Sequence, residues 1–208
     1  MTAESNLIIS EVFYSIQGEG QTMGSPAVFL RLTGCNLFCR GDKWVCDTVE
    51  KWRKGKTVPF NSIISPYYIR KMKNGAHLVI TGGEPMLQQQ AISRYLKWFE
   101  DKHEFLPIVE IETNGTIKPL KHLLNYVHFW NVSPKLSITG GESYKRFNKT
   151  ALAMFSILKG QVVFKFVISR KEDAVEVFKD FTDIIGRKKI VFMPSGDNRK
   201  ELNRQRGN

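Results

Sequence analysis

The residues best suited to chemistry are three cysteines, Cys35, Cys39 and Cys46, and the 208-residue chain has no others. An odd number of cysteines in so short a stretch does not form a disulfide framework and is typical of a ligand set. Thiolates bind iron–sulfur clusters, and three of them leave one iron of a cubane cluster for a small chelating molecule. Cysteine thiolates also bind zinc together with a His or Asp. Alternatively, the three cysteines are inert buried thiols. The spacing alone leaves all three uses open.

Polar or glycine-rich turns follow several apolar segments. They are TGGEP at 81–85, ETNG at 112–115, SPK at 133–135 and the Met193-Pro194 end of the last apolar segment. In the first turn, paired glycines let the backbone approach a ligand closely, and the Glu84 carboxylate can accept hydrogen bonds from an ammonium group. One such turn alone also fits an ordinary strand-to-helix connection, so its significance depends on its neighbours.

Strands that alternate with helices would position these turns. The apolar patterns predict strands at 8–16, 27–32, 77–80, 108–111, 127–132, 162–168 and 189–193, and helices at 61–73, 88–103, 119–124, 144–158 and 171–184. Such alternation predicts right-handed βαβ units and a mainly parallel sheet. About six parallel strands are too few for a complete eight-stranded barrel, so we expect an α/β fold with a partial, open TIM-like barrel. The cysteine loop and the polar turns then lie at the carboxyl ends of strands, where ligands bind.

Composition sets the broad class of protein. Hydrophobic residues make up 42% and charged residues 25% of the chain, which is typical of a soluble globular protein. No apolar run approaches the ~18 residues that span a bilayer, and the N-terminus has no signal-peptide pattern, so we expect a cytoplasmic protein. We expect a single domain over 1–194, with the cysteine loop at 35–48, and a polar, basic tail over 195–208. The formal net charge of +11 favours anionic ligands, either nucleic acid or a carboxylated small molecule.

Six motifs together give the chain a specific resemblance. They are FYSIQGEG at 13–20, FLRLTGCNLFC at 29–39, CDT at 46–48, ITGGEP at 80–85, ETNG at 112–115 and VSPK at 132–135. In this order they resemble the radical S-adenosylmethionine enzymes and, more narrowly, the 7-carboxy-7-deazaguanine synthase family of the queuosine-precursor pathway. The match covers about the first two thirds of the chain, and it weakens after Lys135.

The resemblance implies a radical S-adenosylmethionine core with a [4Fe–4S] cluster on the three cysteines. In this family the open iron chelates S-adenosylmethionine, whose cleavage gives methionine and a 5′-deoxyadenosyl radical. The implied reaction is that of a lyase: 6-carboxy-5,6,7,8-tetrahydropterin is converted to 7-carboxy-7-deazaguanine by ring contraction with loss of ammonia. The resemblance also implies Mg²⁺, a homodimer and a flavodoxin-like electron donor, and no stable complex with nucleic acid or membrane.

Site roles follow from the resemblance residue by residue, and no catalytic residue is implied beyond the cluster and S-adenosylmethionine. The implied cluster ligands are Cys35, Cys39 and Cys46, and the implied magnesium ligand is Thr48. The implied substrate-binding residues are Ile16, Gln17, Gly18, Glu19, Arg31, Thr81 and Pro194. The implied S-adenosylmethionine-binding residues are Gly83, Glu84, Glu112, Asn114, Ser133, Pro134 and Lys135.

One departure from the pattern concerns the cysteine spacing. The superfamily commonly has C-x3-C-x2-C, whereas this chain has four extra residues between Cys39 and Cys46. We expect a loop bulge that leaves its ends in place, with Gly41 supplying the turn.

Two other functions also fit parts of the pattern. One is a radical activase acting on a partner protein, which would not need QGEG or Arg31. The other is a zinc-stabilised nucleic-acid-binding module, in which a histidine (His77, His103, His122 or His128) completes the zinc site.

Overall fold

The computed structural model describes residues 5–41, 44–46, 48–158 and 161–195. The strands in these ranges are β1 (Asn6–Ile16), β2 (Pro26–Leu32), β3 (Lys56–Pro59), β4 (His77–Gly82), β5 (Val109–Thr113), β6 (Phe129–Val132), β7 (Val162–Ile168) and β8 (Ile190–Pro194). The helices are α1 (Val49–Trp52), α2 (Pro66–Lys73), α3 (Gln89–His103), α4 (Lys121–Leu124), α5 (Ser143–Arg146), α6 (Lys149–Ser156), α7 (Lys171–Asp180) and α8 (Thr182–Ile185). Short 3₁₀ helices lie at Phe60–Ser62, Pro85–Gln88, Ser137–Thr139 and Arg187–Lys189.

The chain divides into two compact units whose segments interleave along the sequence. Of the described residues, unit 1 comprises 5–36, 48–113 and 119–131. Unit 2 comprises 37–41, 44–46, 114–118, 132–158 and 161–195. The prediction of one domain over 1–194 remains a prediction. The predicted basic tail lies, apart from Ser195, outside the described residues.

Unit 1 is built on a mixed sheet. β1 pairs antiparallel with both β2 and β3, while β2–β4 and β4–β5 are parallel pairs. The residues of β4 from His77 to Thr81 are all buried, as expected for a parallel strand that is covered on both faces. The predicted apolar positions of the long helix α3 face the core. They are all fully buried: Ile92, Tyr95, Leu96 and Phe99.

Unit 2 contains the parallel pair β7–β8 and the helices from α5 to α8. Its core includes the fully buried side chains of Phe155, Phe164 and Phe166. Phe181, which is also buried, stacks edge-on against Phe166 with 4.9 Å between ring centroids.

The predicted α/β class with mainly parallel strands is confirmed, and the differences are local. β3 was not predicted, because its short sequence KTVP lies in a basic connection and buries only Val58. The predicted helix 144–158 is two helices, since the Asn148 side chain caps α6 by accepting a hydrogen bond from Ala151 N at 3.1 Å. The predicted helix 61–73 begins at Pro66, where Ser65 is the N-cap and proline occupies the first helical position.

No helix among the residues that the structure describes has the length and apolar character needed to cross a membrane.

Candidate active site

The second and third cysteines lie at the two ends of a small hairpin in unit 2. Cys46 N–H donates to Cys39 O at 3.2 Å, Arg40 and Val45 form an antiparallel bridge, and Gly41 N–H donates to Trp44 O at 2.8 Å. We call the described residues 39–41 and 44–46 the cysteine hairpin; residues 42 and 43 lie outside the described residues. The two ends of the C-x6-C segment are therefore adjacent.

Gly41 and Gly140 allow the cysteine hairpin to pack against the backbone of the Ser137–Thr139 turn. A Cβ atom on Gly41 would overlap the carbonyl oxygen of Ile138, and one on Gly140 would overlap the carbonyl oxygen of Arg40. Gly41 was predicted to supply a turn. The structure shows that it also permits a close approach between two backbone segments.

Cys39 lies in a partly buried environment that raises the pKa of its thiol overall. Burial raises the pKa of the Cys39 thiol, and the neighbouring Cys46 raises this pKa further. The Lys135 ammonium group and a hydrogen bond with the Thr139 side chain lower the same pKa. Because metals bind the thiolate, Lys135 and Thr139 favour the ligating form of Cys39.

The first cysteine lies in unit 1, directly against the TGGEP turn. Glu84 N–H donates to Gly34 O at 2.8 Å. A Cβ atom on Gly83 would overlap Gly34 O and would lie 2.8 Å from the Cβ atom of Cys35. Two glycine-bearing loops after neighbouring parallel strands, β2 and β4, are thus in backbone contact beside a cysteine.

Three predicted site residues from different elements of unit 1 share hydrogen bonds. Gln17 Nε2 donates to Glu112 Oε1 at 3.2 Å, and Thr81 Oγ1 donates to Glu112 Oε2 at 2.7 Å. Glu19 N–H donates to Gln17 Oε1 at 3.3 Å, and the Gln17 side chain is 1% exposed. Glu112 was predicted to bind S-adenosylmethionine, but its partners here are two residues predicted to bind substrate.

Arg31 lies on β2 opposite Glu11 of β1. Its Nε donates to Glu11 Oε1 at 2.8 Å, and its guanidinium carbon lies 5.6 Å from the centroid of the Phe13 ring. The ion pair and the aromatic ring hold the arginine side chain in a defined position on the strand.

Glu84 and Asn114 stabilise turns. The fully buried Glu84 accepts hydrogen bonds at Oε1 from Met86 N–H at 2.9 Å and from Thr113 Oγ1 at 2.7 Å. Asn114 Oδ1 accepts hydrogen bonds from the N–H and the hydroxyl of Thr116 at 3.0 and 2.6 Å. The side-chain atoms in these bonds act as local caps.

The remaining predicted residues lie at the ends of elements. Ile16 ends β1 with 65% of its side chain exposed, and Gly18 follows in the β1–β2 loop. Thr48 is the N-cap residue of α1, although its side chain makes no capping hydrogen bond. Lys135 Nζ donates to Ser133 Oγ at 3.1 Å, beside Pro134. The last of the set, Pro194, ends β8 opposite Ile168 of β7.

Sequence reasoning missed a buried polar group next to these residues, centred on Glu110. Glu110 is fully buried and lies on β5, two positions before Glu112. A signal was present, since a carboxylate inside a short apolar strand is rarely buried without partners. Residues two apart on a strand also point to the same face, which links Glu110 to the predicted site residue Glu112.

The histidines of the zinc hypothesis have other partners. His77 contacts Glu110, His103 packs on Phe99, and His128 Nδ1 accepts a hydrogen bond from Val109 N–H. His122 is exposed on α4. In the described part of the chain, no three His, Cys, Asp or Glu side chains form a group that could hold a single metal ion.

Comparisons with known proteins agree with the motifs. The family described as "4Fe-4S single cluster domain" matches residues 16–130. The 7-carboxy-7-deazaguanine synthase of Pyrobaculum aerophilum is 33% identical over 204 residues, which cover 97% of this chain and 85% of the relative. The enzyme of the same name from Aquifex aeolicus is 35% identical, with 94% of this chain and 80% of the relative covered.

A solved structure is also similar. The crystal structure of QueE from Escherichia coli matches with a TM-score of 0.66 and 25% identity, over 95% of this chain and 87% of that one. This match confirms the predicted open-barrel, radical S-adenosylmethionine fold class. The comparisons favour neither the activase nor the zinc-stabilised module.

The residues present fit the cofactors that these similarities imply. Three cysteines that form no disulfide provide soft ligands, and the paired hairpin ends hold two of them close together. The glycine turn beside Cys35 leaves no room for a side chain at position 83. Sequence, fold and ligand chemistry therefore agree that the chain belongs to the 7-carboxy-7-deazaguanine synthase family of radical S-adenosylmethionine enzymes.

Proposed function

We propose that this protein is a lyase that converts 6-carboxy-5,6,7,8-tetrahydropterin to 7-carboxy-7-deazaguanine with loss of ammonia. The observation that carries the proposal is family membership over nearly the whole chain, with the QGEG loop and the three cysteines in place. When bound, the [4Fe–4S] cluster and S-adenosylmethionine supply the radical chemistry. The protein binds and orients the substrate beside them.

Cys35, Cys39 and Cys46 hold the cluster in this proposal. Burial raises the pKa of the Cys39 thiol overall, and Lys135 and Thr139 offset part of that rise in favour of the ligating thiolate. Gly83, Glu84, Asn114, Ser133, Pro134 and Lys135 bind S-adenosylmethionine. At Gly83 the missing side chain lets the backbone approach the cofactor, whereas Lys135 offers a cation to a carboxylate.

The substrate side is formed by the QGEG loop and its neighbours. Ile16, Gln17, Gly18 and Glu19 contact the pterin, and Pro194 is a further substrate-binding residue in this proposal. Thr81 binds substrate from the end of β4. We place Glu112 on the substrate side as well, because its two carboxylate oxygens accept hydrogen bonds from Gln17 and Thr81. A carboxylate in this position orients both donors before substrate binds.

Arg31 binds the substrate carboxylate in this proposal. The bond to Glu11 uses Nε, and the planar fork of terminal nitrogens suits a bidentate contact with a carboxylate. We expect Arg31→Ala to raise the KM for the pterin roughly 10- to 100-fold, as for loss of a charge-assisted hydrogen bond. Steady-state kinetics test this, with iron content and substrate-free S-adenosylmethionine cleavage measured in parallel. Loss of the cluster in Arg31→Ala would contradict the assignment.

Thr48 binds Mg²⁺ together with substrate oxygens and water. A hydroxyl is a suitable ligand for this hard cation, and Thr48 lies at the start of α1, directly after the segment that carries Cys46. We expect added Mg²⁺ to stimulate the wild-type enzyme, and Thr48→Ala to lose that stimulation while it keeps its cluster. Titrations of activity against Mg²⁺ after chelator treatment measure the effect. Full stimulation of Thr48→Ala would remove Thr48 from the magnesium site.

Partners and location belong to the same proposal. We propose a cytoplasmic homodimer that receives electrons from a flavodoxin-like protein, whose acidic surface would complement the net charge of +11. Light scattering should give twice the 23.9 kDa chain mass, and a reduced flavodoxin should support turnover. A monomer, or turnover only with a chemical reductant, would count against these points.

Cluster assembly provides the first test of the proposed function. Anaerobic reconstitution with iron and sulfide should give a brown protein that binds about four irons per chain and cleaves S-adenosylmethionine when reduced. A colourless protein that binds one zinc tightly would contradict the proposal.

A further inference from the structure

We propose that Glu110 and His77 form a buried positioning pair that holds the substrate loop ready for the pterin; this inference rests on the proposed function. We define the substrate loop as residues 17–25, which connect β1 to β2. Neither Glu110 nor His77 belongs to the motifs that define the family resemblance. Their role is to orient Gln17 and Thr22 of the loop, without touching the reacting atoms.

The pair lies inside unit 1. His77 Nδ1 and Glu110 Oε1 are 2.5 Å apart, and these residues are 8% and 0% exposed. His77 begins β4 and Glu110 lies on the neighbouring β5, so two central strands fix both groups. A buried carboxylate needs several polar partners to offset its desolvation, and the imidazole ring of His77 is one of them.

The other partners come mainly from the substrate loop. The single Thr22 hydroxyl hydrogen is shared between the two Glu110 oxygens, which lie 2.8 and 2.7 Å from Oγ1, and Gln17 Nε2 lies 3.4 Å from Glu110 Oε2. Glu110 therefore contacts Gln17 at the start of the loop and Thr22 five residues later. The same Gln17 Nε2 also donates to Glu112, which connects the buried pair to the proposed substrate residues.

A carboxylate can only accept hydrogen bonds, so Glu110 selects the orientation of each neighbouring amide. It requires the NH₂ group of Gln17 to point inward, which leaves Gln17 Oε1 to accept from Glu19 N–H at 3.3 Å. Asn131 Nδ2 likewise donates to Glu110 Oε2 at 3.3 Å. A neutral glutamine at position 110 would have both a donor and an acceptor and would lose this selection.

The loop backbone fits tightly over this group. Gly20 has a φ of +77°, and a Cβ atom there would overlap the side chain of Asn131. Backbone bonds from Gln17 N–H to Ser25 O and from Gly24 N–H to Gln17 O, both 2.8 Å, close the loop. The loop is therefore fixed by its own backbone and by one buried carboxylate. Weakening the carboxylate contacts should leave the fold intact but lower the preorganisation of the loop.

The test compares two buried carboxylates in the reconstituted holoenzyme. In Glu110→Gln we expect the KM for the pterin to rise about tenfold, with substrate-free S-adenosylmethionine cleavage and iron content within about twofold of wild type. Asp173→Asn is the matched control. Asp173 is also fully buried, and it accepts hydrogen bonds from Ser169 N–H and Arg170 N–H at the start of α7. The Asp173→Asn substitution should lower the melting temperature of the protein without changing the KM for the pterin.

Thr22 provides a second pair of variants that does not alter a buried charge. Thr22→Val removes the hydroxyl and should raise the KM about fivefold, whereas Thr22→Ser retains the hydroxyl and should stay within about twofold of wild type. This pair decides the question if Glu110→Gln does not fold.

The possible outcomes separate the inference from the function on which it rests. The positioning role is supported if the wild type forms the deazaguanine and the KM for the pterin rises in Glu110→Gln and Thr22→Val. The KM should not rise in Asp173→Asn or Thr22→Ser. Product formation with wild-type KM values in both Glu110→Gln and Thr22→Val overturns the positioning role and leaves the proposed function standing. An equal rise of KM in Asp173→Asn would also overturn it, because general destabilisation would then explain the effect. If wild type cleaves S-adenosylmethionine without forming the deazaguanine, the proposed function and the inference both fail.

Discussion

Cys46→Ala should lose the cluster and reduce S-adenosylmethionine cleavage by about a hundredfold or more, because one iron loses its only protein ligand. The structure places Cys46 opposite Cys39 at the base of the cysteine hairpin, despite the long spacing between them in sequence. Ultraviolet–visible absorption, iron content and substrate-free cleavage after anaerobic reconstitution measure the effect.

The control for Cys46→Ala is Val45→Ala. The Val45 side chain is 65% exposed, and its bridge to Arg40 is made by the backbone, so the cysteine hairpin should persist. We expect wild-type iron content in this variant. A full cluster in Cys46→Ala would show that another residue provides the third ligand, and equal loss in both variants would indicate a hairpin that had unfolded.

Gly83→Ala should have the next largest effect, a loss of more than about half of the bound cluster together with a lower melting temperature. The added methyl group would overlap the carbonyl oxygen of Gly34 and lie 2.8 Å from the Cβ atom of Cys35. Backbone cannot yield as a flexible side chain can, and overpacking of this kind costs about 1–3 kcal/mol. The displaced segment is the one that carries the first cluster ligand. Iron content and thermal unfolding of the reconstituted protein measure both effects.

Gly75→Ala is the matched glycine control, also in unit 1. Gly75 follows α2 with a φ of +94°, and a Cβ atom there would have no neighbour within 4 Å. Alanine at this position is strained only through its backbone, by about 1–2 kcal/mol, and should leave iron content unchanged. If Gly83→Ala bound iron as well as Gly75→Ala does, close packing of TGGEP on the cysteine loop would not matter for the cluster.

The sequence supported the ligand set and the order of the elements because both are encoded locally. Cys35, Cys39 and Cys46 lie close together in sequence, and apolar patterns such as that of α3 depend on residues a few positions apart. The strands β1, β2 and β4 were likewise recognisable from apolar segments followed by polar turns. These features do not depend on distant contacts.

Long-range contacts account for what the sequence did not reveal. The partners of Glu110 come from β4, the substrate loop and β6, so its buried role depends on tertiary structure. The break between the helices α5 and α6 also involves a contact between residues far apart in the sequence. Asn148 caps α6, and its Nδ2 also donates to Thr116 O at 2.9 Å, thirty-two residues earlier. A helical pattern continues across this position in sequence, and only the folded chain shows why the helix stops.

Glu112 has hydrogen-bond partners that its motif alone does not indicate, and its predicted role at S-adenosylmethionine stays a prediction. The ETNG motif linked this glutamate to the cofactor, whereas its hydrogen bonds join Gln17 and Thr81. Strand position explains the difference, because Glu110 and Glu112 share one face of β5 while Thr113 points to the other face and bonds Glu84. Alternate residues of one short motif therefore have different hydrogen-bond partners.

The most direct test of the central claim is turnover of 6-carboxy-5,6,7,8-tetrahydropterin by the anaerobically reconstituted, reduced protein with S-adenosylmethionine and Mg²⁺. Mass spectrometry should detect 7-carboxy-7-deazaguanine, with one ammonia released per product molecule, and neither should form without S-adenosylmethionine. Cleavage of S-adenosylmethionine with no deazaguanine and no ammonia would contradict the claim, and would leave a radical enzyme with a different substrate.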